Sequence, residues 1–510
     1  MSEKRRLISN TLANGAAQFT AMASSFVFMP MLIRSFGLTE FGLYLLATSI
    51  AAYASLVDFG VGTSLIKNVA ERAATRDDHA LGKYVSTSLA FYIAAGLLVA
   101  GLLTGLAFMS GSLFNVTTDG ARLLRNMLLV VALTSIWTWP ATTGGLVLAG
   151  LQRYTLSATT AIVAALANVG VAVAVLVMHE GPLALVIGQS AVGAVASGVN
   201  ILLAKRAIGD VRVHPGDADF DVLKDIISFS WVIFVLQICT VIIYQQTDRI
   251  VLGVFLGASA ITLYESAGKM QGLVTQISQF ATSAVLPFAT QLDAEGRSSA
   301  LQTLFLRGTK YVMALVLPVV LALMILARPI ITQWLGPSFA SQSLAAQVLL
   351  SYQLLGVSVV VGEHILASRG HAKRRLFNSI FVVTLGNLVL SILLVQKIGI
   401  LGVVIGTTVP WLVDFPWRLR VALTEVDVSL RSWLQAAAGP VYLSLIATAT
   451  VAVTCGLSPL SQSLWGLALT MILAVGASWA TLITFAMTPI EKAELRGLAT
   501  QTLSRFSGNH

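Results

Sequence analysis

Among the ionisable side chains at or inside long apolar stretches of this 510-residue chain, eight have types and spacing that could do chemistry. Arg34 closes one apolar run, and Asp248-Arg249 closes another in IIYQQTDRIVLG. Glu265 and Lys269, in YESAGKM, are four residues apart, so a helix puts them on one face and lets them pair. Asp58 lies in LVDFGVG, and Glu363-His364 in VGEHILAS. Arginine and lysine are the standard partners of phosphate, so Arg34, Arg249 and Lys269 suit a phosphate-bearing ligand. Asp58, Glu363 and His364 are groups that could exchange a proton or hold a cation. Plainer roles stand beside these. Arg34 and Arg249 can be interfacial anchors, and Glu265–Lys269 a self-neutralised pair. Glu363 and His364 are about one helical turn from Arg369, close enough for a structural pair, whereas Asp58 is about two turns from Lys67. Asp414 and Arg418 read as interfacial.

The elements that must position these groups follow from composition. Hydrophobic residues make up 56% of the chain and charged residues 11%, with a mean hydropathy of +0.83. A soluble domain carries about 25% charged residues, so this is an integral membrane protein. A spanning helix needs about 20 mainly apolar residues. Runs of that kind lie at 12–35, 41–66, 83–109, 122–150, 155–178, 182–204 and 224–246, then at 257–288, 303–328, 341–368, 373–396, 400–421, 433–456 and 461–487. The run 341–368 is the most polar, with Gln342, Gln347, Gln353, Glu363 and His364. The alternation of a membrane β-barrel is missing from these runs. The expected fold is therefore an all-α polytopic membrane protein with about 14 transmembrane helices.

The net charge of +9 and pI near 9.7 reflect topology rather than nucleic-acid binding. With the N-terminus inside, Arg34, Arg122, Arg125, Arg249, Arg328 and Lys397 fall at the outer face and Lys269 within a span. The other 25 of the 32 lysines and arginines fall inside, the positive-inside bias. Both termini are then cytoplasmic. After MSEKRR the first apolar run is too long and too polar for a signal-peptide core, and it reads as a retained first helix. Cys239 and Cys455 both fall in predicted spans and read as packing residues. No metal site or cofactor is expected.

An internal repeat organises the spans. FGLTEFGLY (36–44) echoes LGASAITLY (256–264) at an offset of 220. VLAG (147–150) matches ILAS (365–368), LANVG (166–170) matches LGNLV (385–389), and GPLALVIG (181–188) matches GILGVVIG (399–406), all at offsets of 218 or 219. Six spans per copy give both copies the same orientation, hence two six-helix parallel-repeat lobes about an axis along the membrane normal. The domains expected are an N-lobe (1–222), a C-lobe (223–422), and two C-terminal helices with a tail (423–510). RAIGDVRVHPGDADFDVLK is the linker. At the 220 offset Arg34 faces Val254, Arg249 faces Met29, and Lys269 faces Ser49. The scaffold is duplicated and the charges are not, which makes the charges candidates for function.

Arg34 with FGLTEFGLY, LVDFG at 56–60, and TDR at 247–249 before LGASAITLY together resemble the bacterial polysaccharide transporters. These are the O-antigen and exopolysaccharide lipid-linked oligosaccharide flippases, of the superfamily that also holds multidrug extruders and the lipid II flippase. The likeness covers about residues 7–425. It implies two six-helix lobes around a central cavity, in the bacterial inner membrane. The implied activity is transfer of an undecaprenyl-diphosphate-linked oligosaccharide to the periplasmic leaflet by alternating access, without catalysis. Arg34, Asp248, Arg249, Glu265 and Lys269 would then contact substrate, and Asp58, Glu363 or His364 would serve ion coupling. Implied partners are the lipid-linked oligosaccharide, membrane lipids, and the polymerase and glycosyltransferases of the same pathway.

Two other readings stay open. A cation-coupled multidrug exporter would use the same fold, although its cavity should favour carboxylates and aromatics. A membrane-embedded polysaccharide polymerase or glycosyltransferase would need a large outer loop or paired acids at a membrane face. The Asp77-Asp78 of TRDDHA instead lies between basic residues in a short inner loop.

Overall fold

The computed structural model describes residues 3–228, 234, 247–493 and 497, with the backbone alone for 3–23, 372–378 and 380. The described residues are almost wholly helical and contain no strand. The chain is an all-α polytopic membrane protein. Among the described residues ten helices are long and apolar enough to span a membrane. They become eleven if Pro337–Gly356 and Val360–Ser368, bent by 53° at their break, count as one span.

The differences from the sequence-predicted runs have local causes. Run 12–35 and the first part of run 41–66 merge into α1 (Glu3–Tyr53), interrupted only where Gly37 takes φ 76° and ψ 172°. Run 224–246 lies outside the described residues except for 224–228 and 234. Run 257–288 forms α8 (Ala258–Thr282, after α7, Thr247–Phe255). Its Thr, Ser, Gln, Glu and Lys residues keep it below the hydropathy of a simple span. Run 341–368, the most polar, is the broken one. Cys239 lies outside the described residues, and Cys455 is a free, half-buried thiol.

The chain clusters into two compact units, Met1–Tyr264 with Leu388–Val403, and Glu265–Asn387 with Val404–His510. In the first unit α1 is followed by α2 (Val61–Thr75), α3 (Asp78–Leu113), α4 (Thr118–Gly150), α5 (Tyr154–Val177) and α6 (Pro182–Ile208). Local chemistry sets the starts. Asp77 accepts the Ala80 amide at the head of α3, Thr117 accepts the Gly120 amide at the head of α4, and Pro182 opens α6. Asp77 is therefore a helix cap. Leu65 and Val69 of α2, Leu81 and Val85 of α3, Val147 and Leu148 of α4, and Ala204 of α6 form one dry cluster. Lipid tails are as apolar as leucine, so such clusters hold helices by close packing more than by escape from water.

The two echoing hairpins meet within this unit. Gly37 and Gly257, equivalent at the 220 offset, both have positive φ, 76° and 90°, which glycine adopts without a Cβ penalty. A Cβ on Gly42 would lie 1.9 Å from the Ala258 carbonyl oxygen. Thr262 Oγ1 donates to the Leu38 carbonyl oxygen at 2.7 Å. Position 38 corresponds to 258 and position 42 to 262, so each contact is the other with its partners exchanged. Reciprocal contacts of that form are what a two-fold axis produces.

In the second unit, α9 (Val285–Ala294) precedes α10 (Ser298–Ile325). α11 (Val360–Ser368) ends the bent pair, and α12 (Ala372–Ile398) and α13 (Ile400–Glu425) follow, their Leu388–Val403 portion belonging to the first unit. The last long helices are α14 (Gly439–Gly456) and α15 (Leu464–Thr481). Ala322 and Leu326, at the end of α10, pack with Ala452 of α14 and with Leu467 and Ala474 of α15. The Ser444 and Ser478 hydroxyls meet at 2.9 Å between α14 and α15.

Candidate substrate and coupling sites

The first unit assembles one site around the start of α7. Ser49 and Tyr53 are four residues apart on α1 and so share a face. Tyr53 Oη meets Thr247 Oγ1 at 2.7 Å, and Arg249 Nη1 donates to Ser49 Oγ at 3.2 Å. Ser49 Oγ donates in turn to the Leu45 carbonyl at 2.7 Å. Tyr264 Oη donates to Asp248 Oδ2 at 2.5 Å. The half-buried guanidinium of Arg249 is thus held by α1, while the adjacent carboxylate is held by α8. Arg34 lies exposed on α1, three residues before Gly37.

Glu265 and Lys269 belong to the second unit. Lys269 Nζ lies 3.3 Å from Glu265 Oε1, with Glu265 5% and Lys269 27% exposed. The i,i+4 pairing anticipated from spacing is present. The five substrate-site candidates therefore fall into an α1–α7–α8 group holding Asp248 and Arg249, an α8 ion pair, and Arg34 by itself.

Asp58 sits at a break in what the sequence suggests is one span. α1 ends at Tyr53, a 3₁₀ turn runs Ala54–Asp58, and Phe59 and Gly60 both take left-handed conformations before α2. A left-handed phenylalanine is costly and persists only where its surroundings impose it. Here the Phe59 ring lies 4.5 Å from that of Phe234. Tyr92, fully buried on α3, donates its hydroxyl to Asp58 Oδ1 at 2.5 Å.

Glu363 pairs with Arg418 rather than with Arg369. Arg418 Nη1 lies 2.7 Å from Glu363 Oε1, its Nε lies 2.5 Å from Asp414 Oδ2, and its guanidinium covers the Trp411 ring at 4.3 Å. Ser379 Oγ donates to the same Asp414 oxygen. Asp414 and Arg418 are 8% and 4% exposed. They are buried, not interfacial, because α13 turns them towards Ser379 of α12 and Glu363 of α11. His364 is half-buried beside Glu363. Arg369 serves a different cluster: its Nε donates to Asp293 Oδ1 at 2.9 Å and its Nη1 to Glu425 Oε1 at 3.1 Å, with His371 Nδ1 at 2.9 Å from that same oxygen.

A further buried pair joins Lys310 of α10 to Glu491. Lys310 Nζ donates to both Glu491 carboxylate oxygens, at 3.0 and 3.1 Å, and to the Ala486 carbonyl at 3.0 Å. Sequence reasoning left this pair aside and read Arg418 as interfacial. Asp414 and Arg418 at i,i+4 beside Trp411 offered a local signal. Lys310 and Glu491 offered none beyond a lysine near the start of an apolar run. Among the described residues no group of three His, Cys, Asp or Glu side chains could hold a metal ion.

Comparison with known proteins sets these sites in context. Residues 31–344 match the family model described as polysaccharide biosynthesis protein. Over 174 residues the chain is 24% identical to a probable low-salt glycan biosynthesis flippase of Haloferax volcanii, covering 34% of this chain and 36% of that relative's length. The fold is similar to that of the lipid II flippase MurJ in an inward closed conformation. The TM-score is 0.67 at 14% identity, over 93% of this chain and 98% of that one. It is also similar to an inward-facing multidrug resistance MATE family transporter of the MOP superfamily, with TM-score 0.64 at 17% identity over 80% and 96% of the two chains. A third likeness is to a MOP superfamily transporter from Pyrococcus furiosus described as having a binding pocket of reversed polarity. Its TM-score is 0.57 at 17% identity, over 84% and 98%.

Proposed function

The chain belongs to the polysaccharide biosynthesis protein family, and from that premise we propose that it is a flippase for lipid-linked oligosaccharides. Its substrate would be an undecaprenyl-diphosphate-linked repeat unit, carried from the cytoplasmic to the periplasmic leaflet of a bacterial inner membrane by alternating access. The product would feed O-antigen, capsule or exopolysaccharide assembly, with the glycosyltransferases and polymerase of that pathway acting before and after it. The observation that supports this reading is Arg249. A half-buried guanidinium held against Ser49 offers a planar fork of donors, and a diphosphate presents the matching oxygens. Lys269 and Arg34 would add cationic contacts, with Asp248 and Glu265 fixing the geometry of their neighbours.

Transport of a lipid-linked oligosaccharide in reconstituted vesicles tests the proposal. A hydrogen bond between charged groups is worth about 1.5–3 kcal/mol, so Arg249→Ala should slow transport by roughly tenfold to a hundredfold. Lys269→Ala should act in the same direction, with both proteins still inserted and abundant. Unchanged transport in the double variant would remove the diphosphate site. Coupling would be carried by Asp58, Glu363 or His364. Asp58→Asn is expected to flatten the pH dependence of transport, and an unaltered profile would clear Asp58 of that role.

The likeness to the MATE transporter supports a second reading, a cation-coupled multidrug exporter. Drug susceptibility with and without the protein separates the two. Resistance accompanied by intact surface glycan in the deletion strain would favour the exporter.

A further inference from the structure

The polar connection after α6 does not run free. Gly209, at φ 62° and ψ −125°, ends α6, and the chain then lies along one side of α3. The Arg212 carbonyl oxygen lies 2.6 Å from where a Cβ on Gly82 would be. Val211 and Val213 pack on the cluster of Leu65, Leu81 and Val85. The His214 amide donates to Ser86 Oγ at 3.0 Å, the Asp219 amide donates to Thr87 Oγ1 at 3.0 Å, and Lys83 Nζ lies 2.5 Å from Asp219 Oδ2. Gly82, Lys83, Ser86 and Thr87 form one stripe of α3, being one and four residues apart.

The chain then turns helical from Phe220. It buries Val222 and Ile226 against Val61 and Tyr92. Tyr92 is the donor to Asp58, and Val61 is the first residue after the Asp58–Gly60 break. One continuous segment therefore reaches from the head of α3 to the side chain that holds Asp58.

Its attachments differ along its length. Lys83 and Asp219, 41% and 26% exposed, form a single polar pair that water can replace, whereas Ser86 and Thr87 are buried at 0% and 3% and regain water only when the segment lifts. The contacts of Val222 and Ile226 are dry. Lys83 and the backbone amides of Val222 and Asp221 hold the Asp219 carboxyl below the usual carboxylate range, which keeps it ionised well into acid.

We propose that residues 209–228 are a displaceable strap, which seats on α3 to hold Tyr92 on Asp58 and unseats as the protein works. The strap goes beyond the substrate reading, and its first test needs no substrate. In a protein with Cys239 and Cys455 replaced by alanine, Ile226→Cys reports seating through its rate of labelling by a water-soluble maleimide. Gly82→Leu, which drives a side chain into the Arg212 carbonyl, should raise that rate at least tenfold. Lys83→Asp should raise it about threefold, and the swap Lys83→Asp/Asp219→Lys should bring it back. Equal labelling in the parent and Gly82→Leu proteins, or a swap as reactive as Lys83→Asp alone, would overturn the seating.

A disulfide between Ser86→Cys and His214→Cys tests the unseating. The oxidised protein should lose at least tenfold in transport and recover it under reductant. A fully oxidised protein that transports at the reduced rate overturns the proposal. If the reduced protein moves no glycan lipid at all, the proposed function has failed instead, and the maleimide rates alone decide the strap.

Discussion

Replacing Arg418 with leucine is expected to destabilise the second unit by about 3–5 kcal/mol, the range seen when one partner of a buried ion pair is removed. The cost arises from what remains. Asp414, 8% exposed, would keep its carboxylate with only the Ser379 hydroxyl to meet it, and Glu363 would face an apolar side chain. Loss of the guanidinium over Trp411 adds about 0.5–2 kcal/mol. Typical total stabilities are about 5–15 kcal/mol, so much of the protein should fail to reach a monodisperse state in detergent. Arg418→Lys keeps the charge but loses the fork that spans two carboxylates and the flat face on the indole, and it should recover only part of the loss. The variant Arg418→Leu/Asp414→Leu/Glu363→Gln removes the stranded charges together and should recover most of it. Thermal unfolding of the parent and the three variants in one detergent is the measurement. An Arg418→Leu melting temperature equal to the parent's would defeat the account.

Lys310→Met should give an equally large local penalty with a different outcome. All three ammonium donors of Lys310 are used, two on Glu491 and one on the Ala486 carbonyl. The Glu491 carboxylate also accepts the Thr488 amide at 2.8 Å, while the Glu491 amide donates to Thr488 Oγ1 at 3.3 Å. That is a reciprocal capping box at the head of a terminal helix. Without Lys310 the carboxylate can escape burial by detaching that helix alone. The loss is therefore capped by the free energy of local opening, not by that of global unfolding. Residues 488–493 should become protease-sensitive while the melting temperature moves by only a few degrees. Lys310→Met/Glu491→Leu should restore protection.

The pH dependence has a fixed sign. Burial pushes the Glu491 carboxyl up, but the Thr488 amide and Lys310 outweigh it and hold the group below the usual carboxylate range. A lowered folded-state pKa contributes stability that is complete above the unfolded value, about 4.3 for glutamate. That stability is lost as pH falls through the folded value. The helix begun at Thr488 should stay docked through Glu491 at neutral pH and come free only in acid. Release on raising the pH from 5 to 8 would contradict this.

What could be read from sequence was whatever a short window encodes. Span length and hydropathy gave the helical class, since 20 apolar residues can do little else in a membrane. Four-residue spacing gave Glu265–Lys269 because the helix itself brings the pair together. Glycine at equivalent places gave the two hairpins, where backbone conformation demands it. The Glu363–Arg418 contact joins residues 55 apart, and Lys310–Glu491 joins residues 181 apart. No local pattern specifies which of several cations a buried carboxylate meets. Arg369 was the nearest in sequence, yet it turned instead to Asp293 and Glu425. The break at Asp58 was equally hidden. Phe59 is not a residue that signals a left-handed turn, and Tyr92, which fixes Asp58, lies 34 residues on. Polar content did mark the run at 341–368, and there the helix bends.

The exchanged hairpin contacts, Gly42 on Ala258 and Leu38 on Thr262, carry a consequence for ancestry. Two identical chains meeting across such an axis can change only in duplicate, so any charge gained near the interface is gained twice and repels its own copy. Joining the copies in one polypeptide lifts that restriction. Position 42 can stay glycine while its counterpart becomes a hydrogen-bonding threonine. An arginine can arise at 249 while its counterpart stays methionine, and a lysine at 269 while its counterpart stays serine. Gene fusion of this kind allows a lopsided interior that a homodimer could never inherit.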